Sequence, residues 1–95
     1  MEFKILQTNN RDYSFMDYEW AIAHGFNLDD YKEVYKDDFP KAPEELDYYN
    51  ILDTLFEIFN IRRPEDYKAR SLSTSDIVVL GEKKFYCDSF GWKEL

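Results

Sequence analysis

Ile77-Val78-Val79-Leu80 is an unbroken apolar run bounded by Asp76 and Gly81. Three of its four side chains are β-branched, which favours extended chain, and the absence of polar alternation reads as a strand buried on both faces. Phe85-Tyr86-Cys87-Asp88 follows across Gly81-Glu82-Lys83-Lys84 and reads as its hairpin partner. Such a pair belongs at the centre of a sheet, so the rest of the chain must supply its neighbours and its cover.

Those neighbours can be traced from the N-terminal side. Glu2-Phe3-Lys4-Ile5-Leu6-Gln7 alternates partially and predicts a first strand, ended by Asn9-Asn10 and placed at an edge. Ser14 is positioned as an N-cap with Asp17 as a partial capping box and Tyr13 and Tyr18 as a staple. Phe15, Tyr18 and Ile22 form one stripe through Ala23, and Gly25 after His24 ends a helix of about ten residues. Tyr31-Lys32-Glu33-Val34-Tyr35 alternates at period two as a second strand, broken by Asp37-Asp38-Phe39-Pro40.

A second helix opens with Pro43 in its first position, with Glu44 and Glu45 at the positive end of its dipole. Tyr48, Ile51, Leu52, Leu55, Phe56, Ile58 and Phe59 then share one half-cylinder, while Asp47, Asn50, Asp53, Thr54 and Glu57 occupy the other. Asn60 is placed as C-cap, followed by Arg62 and Arg63, and Pro64 prevents continuation. Arg70-Ser71-Leu72-Ser73-Thr74-Ser75-Asp76 is rich in side chains that bond nearby backbone and predicts an ordered turn. The expected fold is α+β: a small antiparallel or mixed sheet of about four strands with two helices packed on one face.

The chain's 95 residues suffice for one domain, 1 to 95, and eight Phe, eight Tyr and two Trp provide its apolar mass. Eight tyrosines are hard to bury with every hydroxyl paired, so some are expected at the surface, where Tyr suits interfaces. The single cysteine, Cys87, has no internal partner, no charged leader opens the sequence, and no apolar run approaches membrane-spanning length. A cytoplasmic setting is the expectation.

The order P-x-D-Y, R-S-L-S-x-S-D, I-V-V-L and F-Y-C-D-S-F-G-W between Pro64 and Trp92 resembles the YodL-like domain of small proteins in Gram-positive bacteria and their mobile elements. Ala69 departs from that pattern, which favours glycine there. The resemblance implies a compact α+β domain carried by phage, plasmids or conjugative elements and implies no reaction.

Candidate chemistry is sparse. His24 sits at a helix end, Cys87 lies between core aromatics, and Ser71, Ser73 and Ser75 lack a nucleophile-elbow context or a nearby base. One Cys and one His do not make a zinc site, and Asp76 with Asp88 is the only carboxylate constellation that suggests a cation; no cofactor or metal is expected. Arg62, Arg63, Lys68 and Arg70 around Tyr67 could contact RNA by phosphate pairing and stacking.

Charge is the stronger functional signal. Residues 1 to 60 carry a net −9 and residues 61 to 95 a net +1. Such a field attracts basic partners and opposes direct approach to DNA. Taken with the mobile-element setting that the resemblance implies, the expected function is a non-enzymatic inhibitor of a bacterial nucleic-acid-binding defence enzyme, either anti-restriction or an anti-CRISPR directed at the basic groove of a Cas9-type nuclease. Asp47, Asp53 and Glu57 would mimic phosphates, with Asp29, Asp30, Asp37 and Asp38 extending the surface. The alternatives are a generic interaction module, including a homodimer, and an RNA-binding or RNA-cleaving protein.

Overall fold

The computed structural model describes residues 1–40 and 47–95, and Pro43, Glu44 and Glu45 of the expected helix start lie outside them. The element order is β1 (Glu2–Thr8), α1 (Tyr18–Ala23), a short 3-10 turn (Leu28–Asp30), β2 (Tyr31–Asp38), α2 (Tyr48–Ile61), β3 (Ile77–Leu80), β4 (Lys83–Cys87) and β5 (Trp92–Glu94). The strands form one antiparallel sheet in the order β2-β1-β3-β4-β5. The fold is α+β as expected, with five strands among the described residues against an expectation of about four; Trp92–Glu94 supplies the additional one.

The β3–β4 hairpin stands inside the sheet, and all four residues of β3 are buried. Its connection is tighter than expected. Leu80 pairs with Lys83 across Gly81-Glu82, and Gly81 takes φ 61, the sign that the first central position of a type II′ turn needs. Lys83 and Lys84 therefore belong to the strand.

β1 is not an edge strand. It pairs with β2 on one side and β3 on the other, which leaves β2 at the edge. Gln7 and Thr8, the polar residues that end β1, are both buried, and Gln7 donates to Asp76 Oδ2 at 3.1 Å and the Arg70 carbonyl at 3.1 Å.

The helices cover opposite faces of the sheet rather than one. Val78, Leu80 and Phe85 pack with Ile51, Leu52, Leu55 and Phe59 of α2, whereas Ile77, Val79 and Tyr86 pack with Tyr13 and Ala21 on the α1 side. Successive strand side chains alternate between faces, so the two clusters lie on either side of the sheet. The second layer consists largely of aromatic residues from the first residues of α1 and β2 and from the loops beside them, with Tyr18, Phe26 and Tyr31 packed around Tyr13 and Tyr86.

α1 is shorter than its pattern suggested. Asp17, not Ser14, is the N-cap and accepts from Trp20 N at 2.8 Å. Residues 10 to 16 instead form turns that carry Tyr13 into the core, so it cannot act as a staple. The helix ends where expected: Gly25 takes φ 89 and Phe26 N bonds the Ala21 carbonyl at 2.9 Å, a Schellman closure.

β2 runs through Asp37 and Asp38. α2 begins after Asp47, whose side chain accepts from Tyr49 N at 3.1 Å. Its C-cap is Arg62; Asn60 remains helical and bridges to the Leu72 carbonyl at 2.9 Å. No helix among the described residues is long and apolar enough to cross a membrane.

Leu52 of α2 is fully buried in the larger cluster. Leu52→Ala is expected to lower unfolding free energy by about 2 to 5 kcal/mol through lost transfer energy and the residual cavity. Urea denaturation of both proteins measures the difference.

Candidate binding surface

The seven-residue turn from Arg70 to Asp76 organises the polar interior. Asp76 is fully buried, and its two oxygens meet the Arg70 guanidinium at 2.7 and 2.9 Å. Oδ2 also accepts from Ser73 N at 2.8 Å. Burial pushes the Asp76 carboxyl above its ordinary value, opposed by Arg70, the Ser73 amide and Gln7. Arg70 in turn stacks beneath Phe15 at 4.6 Å. Phe15 and Ser75 both have left-handed backbones, φ 67 and φ 83, and are joined by a bond from Phe15 N to Ser75 Oγ at 2.9 Å. Every buried side-chain nitrogen or oxygen among the described residues has a partner. The buried polar groups of this cluster are thus committed within the protein.

The other candidate reactive groups are committed in the same way. Cys87 is buried, and burial followed by repulsion from Asp76 and Asp88 pushes its thiol up to about 12. Asp88 Oδ1 caps Tyr18 N at 3.1 Å and Ser89 N at 2.9 Å. Asp76 and Asp88 therefore serve separate structural roles, and no three His, Cys, Asp or Glu residues among those described are arranged to hold a metal ion. His24 stacks on Trp20 with centroids 3.9 Å apart. Within the basic group, Tyr67 is buried with its hydroxyl on the Arg70 carbonyl, and the Arg70 guanidinium is paired with Asp76. Arg62, Arg63 and Lys68 are exposed.

Most tyrosines are internal ties rather than surface contacts. Tyr31 donates to the Ser75 carbonyl at 2.6 Å, Tyr86 to the Met16 carbonyl at 2.7 Å, and Tyr35 to Asp66 at 2.9 Å. Of the eight, only Tyr49 is exposed. Burial and then the Asp66 bond push the Tyr35 phenol up to about 12.

The seven acidic candidates divide into three places. Asp53 and Glu57 are exposed one turn apart on the outer arc of α2, with Asp47 at its N-cap. Asp37 and Asp38 lie at the end of β2 and line, with Phe3, Phe39, Thr54 and Ile58, an apolar hollow of about 350 Å³ beside the opposite flank of that helix. Asp29 and Asp30 stand at the other end of β2. Asp30 accepts from Asn10 Nδ2 and the Tyr13 hydroxyl, both at 2.8 Å, which hold its carboxyl below the ordinary range. β2 separates the pairs by roughly 23 Å at strand rise, and Asp30 is tied to Tyr13 of the cluster on the α1 side of the sheet.

A cleft of about 240 Å³ between α2 and the β4–β5 turn was not anticipated. Asp53, Asp88, Phe56 and Trp92 line it, with the two rings edge-on at 6.4 Å and Trp92 Nε1 donating to Asp53 at 3.2 Å. Phe56 lies at the margin of the helix's apolar arc and is exposed, which was its available signal. Trp92 and Asp88 come from a turn that periodicity does not reveal. Two carboxylates beside a pair of aromatic rings suit a cationic side chain.

Against known proteins, the family model described as the YodL-like domain matches residues 2–95. No curated protein and no solved structure matches the chain.

Three outcomes follow from this geometry. Arg70→Met leaves Asp76 buried without its counter-charge and should cost about 3 to 5 kcal/mol in urea denaturation, part of which Arg70→Met/Asp76→Asn recovers. Cys87, with its raised thiol, should resist alkylation near neutral pH in the native protein and react fully once denaturant is added. Because folding raises the Tyr35 phenol, its stability contribution is full below the unfolded value near 10 and is lost as pH rises through about 12. Tyrosinate absorbance should therefore show a late alkaline phase that Tyr35→Phe reduces.

Proposed function

This chain belongs to the YodL-like domain family, and we propose that it is a non-enzymatic binding protein that inhibits a bacterial nucleic-acid-binding defence enzyme by occupying its basic groove. The observation that carries the reading is the exposed carboxylate face of α2 ending in the Asp53, Asp88, Phe56 and Trp92 cleft. Asp53 and Glu57 present charge one turn apart, and the cleft beside them has room for an arginine or lysine reaching out of such a groove. The burial of Cys87 and the pairing of Asp76 support binding over catalysis. In the mobile-element setting that the family resemblance implies, the partner is an immune nuclease of the Cas9 type or a restriction enzyme. Such enzymes hold nucleic acid in positively charged channels.

Asp47→Asn/Asp53→Asn/Glu57→Gln tests this by removing three charges while keeping a capping side chain at residue 47. With thermal unfolding unchanged, binding to a purified Cas9-type nuclease or restriction enzyme is expected to weaken at least tenfold, about 1.4 kcal/mol. Wild-type affinity should also fall as salt rises. Equal affinity of the neutral variant, or affinity indifferent to salt, would overturn the α2 mechanism.

A further inference from the structure

The sheet is open at β2, its longest strand, whose eight residues pair among the described residues with β1 alone. An edge strand of this length with unpaired backbone groups is a template for another strand. Its sequence, Tyr31-Lys32-Glu33-Val34-Tyr35-Lys36-Asp37-Asp38, is charge-complementary to itself. Laid antiparallel on a second copy with Val34 opposite Tyr35, Lys32 meets Asp37 and Glu33 meets Lys36, each pair occurring twice about the two-fold axis.

Cross-strand partners must also lie on the same face, and a regular strand would fail this requirement. Lys32 and Asp37 are an odd number of positions apart, as are Glu33 and Lys36, so simple alternation would put the members of each pair on opposite faces. The β1–β2 register removes the conflict. Tyr35 pairs with Ile5 but Glu33 with Leu6, so Val34 is an extra residue that reverses the alternation midway. Lys32 stands opposite Gln7 and Asp37 opposite Phe3, both on the α2 face, while Glu33 opposite Leu6 and Lys36 opposite Lys4 share the α1 face.

We propose that a second copy of this chain pairs along β2, forming a two-fold dimer with a continuous ten-stranded sheet. Val34 and Tyr35, both half-buried, lie at its centre, and the four ion pairs fix the register. Asp37 then belongs to the contact between copies and not to the partner-binding face. The dimer does not depend on what α2 binds.

Lys32 is exposed, so its reversal leaves the fold intact. Analytical ultracentrifugation over a protein concentration series is expected to show the wild type passing from monomer to dimer. Lys32→Asp, which places an acid opposite Asp37, should raise the dissociation constant at least tenfold, and Lys32→Asp/Asp37→Lys, which restores opposite charges in reversed order, should recover the dimer. A wild type monomeric throughout the series, or a Lys32→Asp variant that dimerises as well as the wild type, would overturn the proposal. Rescue by Asp37→Lys distinguishes this register from a dimer formed elsewhere on the molecule.

Discussion

The ion pair between Arg70 and Asp76 is the constraint around which the rest of the molecule is arranged. A carboxylate with no solvent exposure is tolerable in a domain of this size only if its oxygens are engaged, and here two distant parts of the chain engage them. Gln7 brings the end of β1, and Arg70 and Ser73 bring the turn that lies between α2 and β3. Phe15 closes over the guanidinium from the other layer, so the loop before α1 is positioned by the same pair. The family-resembling R-S-L-S-x-S-D sequence is therefore a clasp that joins the two layers to the central strands.

The tyrosines repeat this logic at smaller scale. Each of Tyr13, Tyr31, Tyr67 and Tyr86 places its ring in an apolar cluster and spends its hydroxyl on a loop carbonyl or carboxylate. A phenylalanine would fill the same volume and leave the loop unpinned. This explains how so many irregular residues, from Asn9 to Asp17 and from Arg62 to Asp76, are held in an ordered structure.

How far the sequence reveals this arrangement depends on the range of the interactions involved. The β3–β4 hairpin, the inner face of α2, the stop at Gly25 and the serine-rich turn are set by neighbours within a few positions, and each was readable. The central place of β1 was not, because Gln7 looks like a polar strand end until its partners more than sixty residues away are known. The two-sided burial of Ile77 to Leu80 already demanded cover on both faces. The second cover is not legible in the sequence because it is built from Tyr13, Tyr18, Phe26 and Tyr31, whose spacing has neither helical nor strand period. The same limit applies to the surface. The acidic arc of α2 follows from its periodicity, whereas the cleft needs Asp88 and Trp92 from a turn whose placement depends on the finished sheet.

The position of β1 has a kinetic consequence. Its second neighbour, β3, arrives only after α1, β2 and α2 have been passed, and the bond from Gln7 to Asp76 closes a separation of 69 positions. The β3–β4 hairpin can form from contacts between close neighbours in the chain, but the sheet cannot be completed until its two distant parts meet. Closure of a loop this long sets the entropic barrier, and folding is expected to be slower than for a helical protein of equal length. During synthesis β1 emerges long before β3, so in the nascent chain the strand destined for the middle of the sheet still has an open edge.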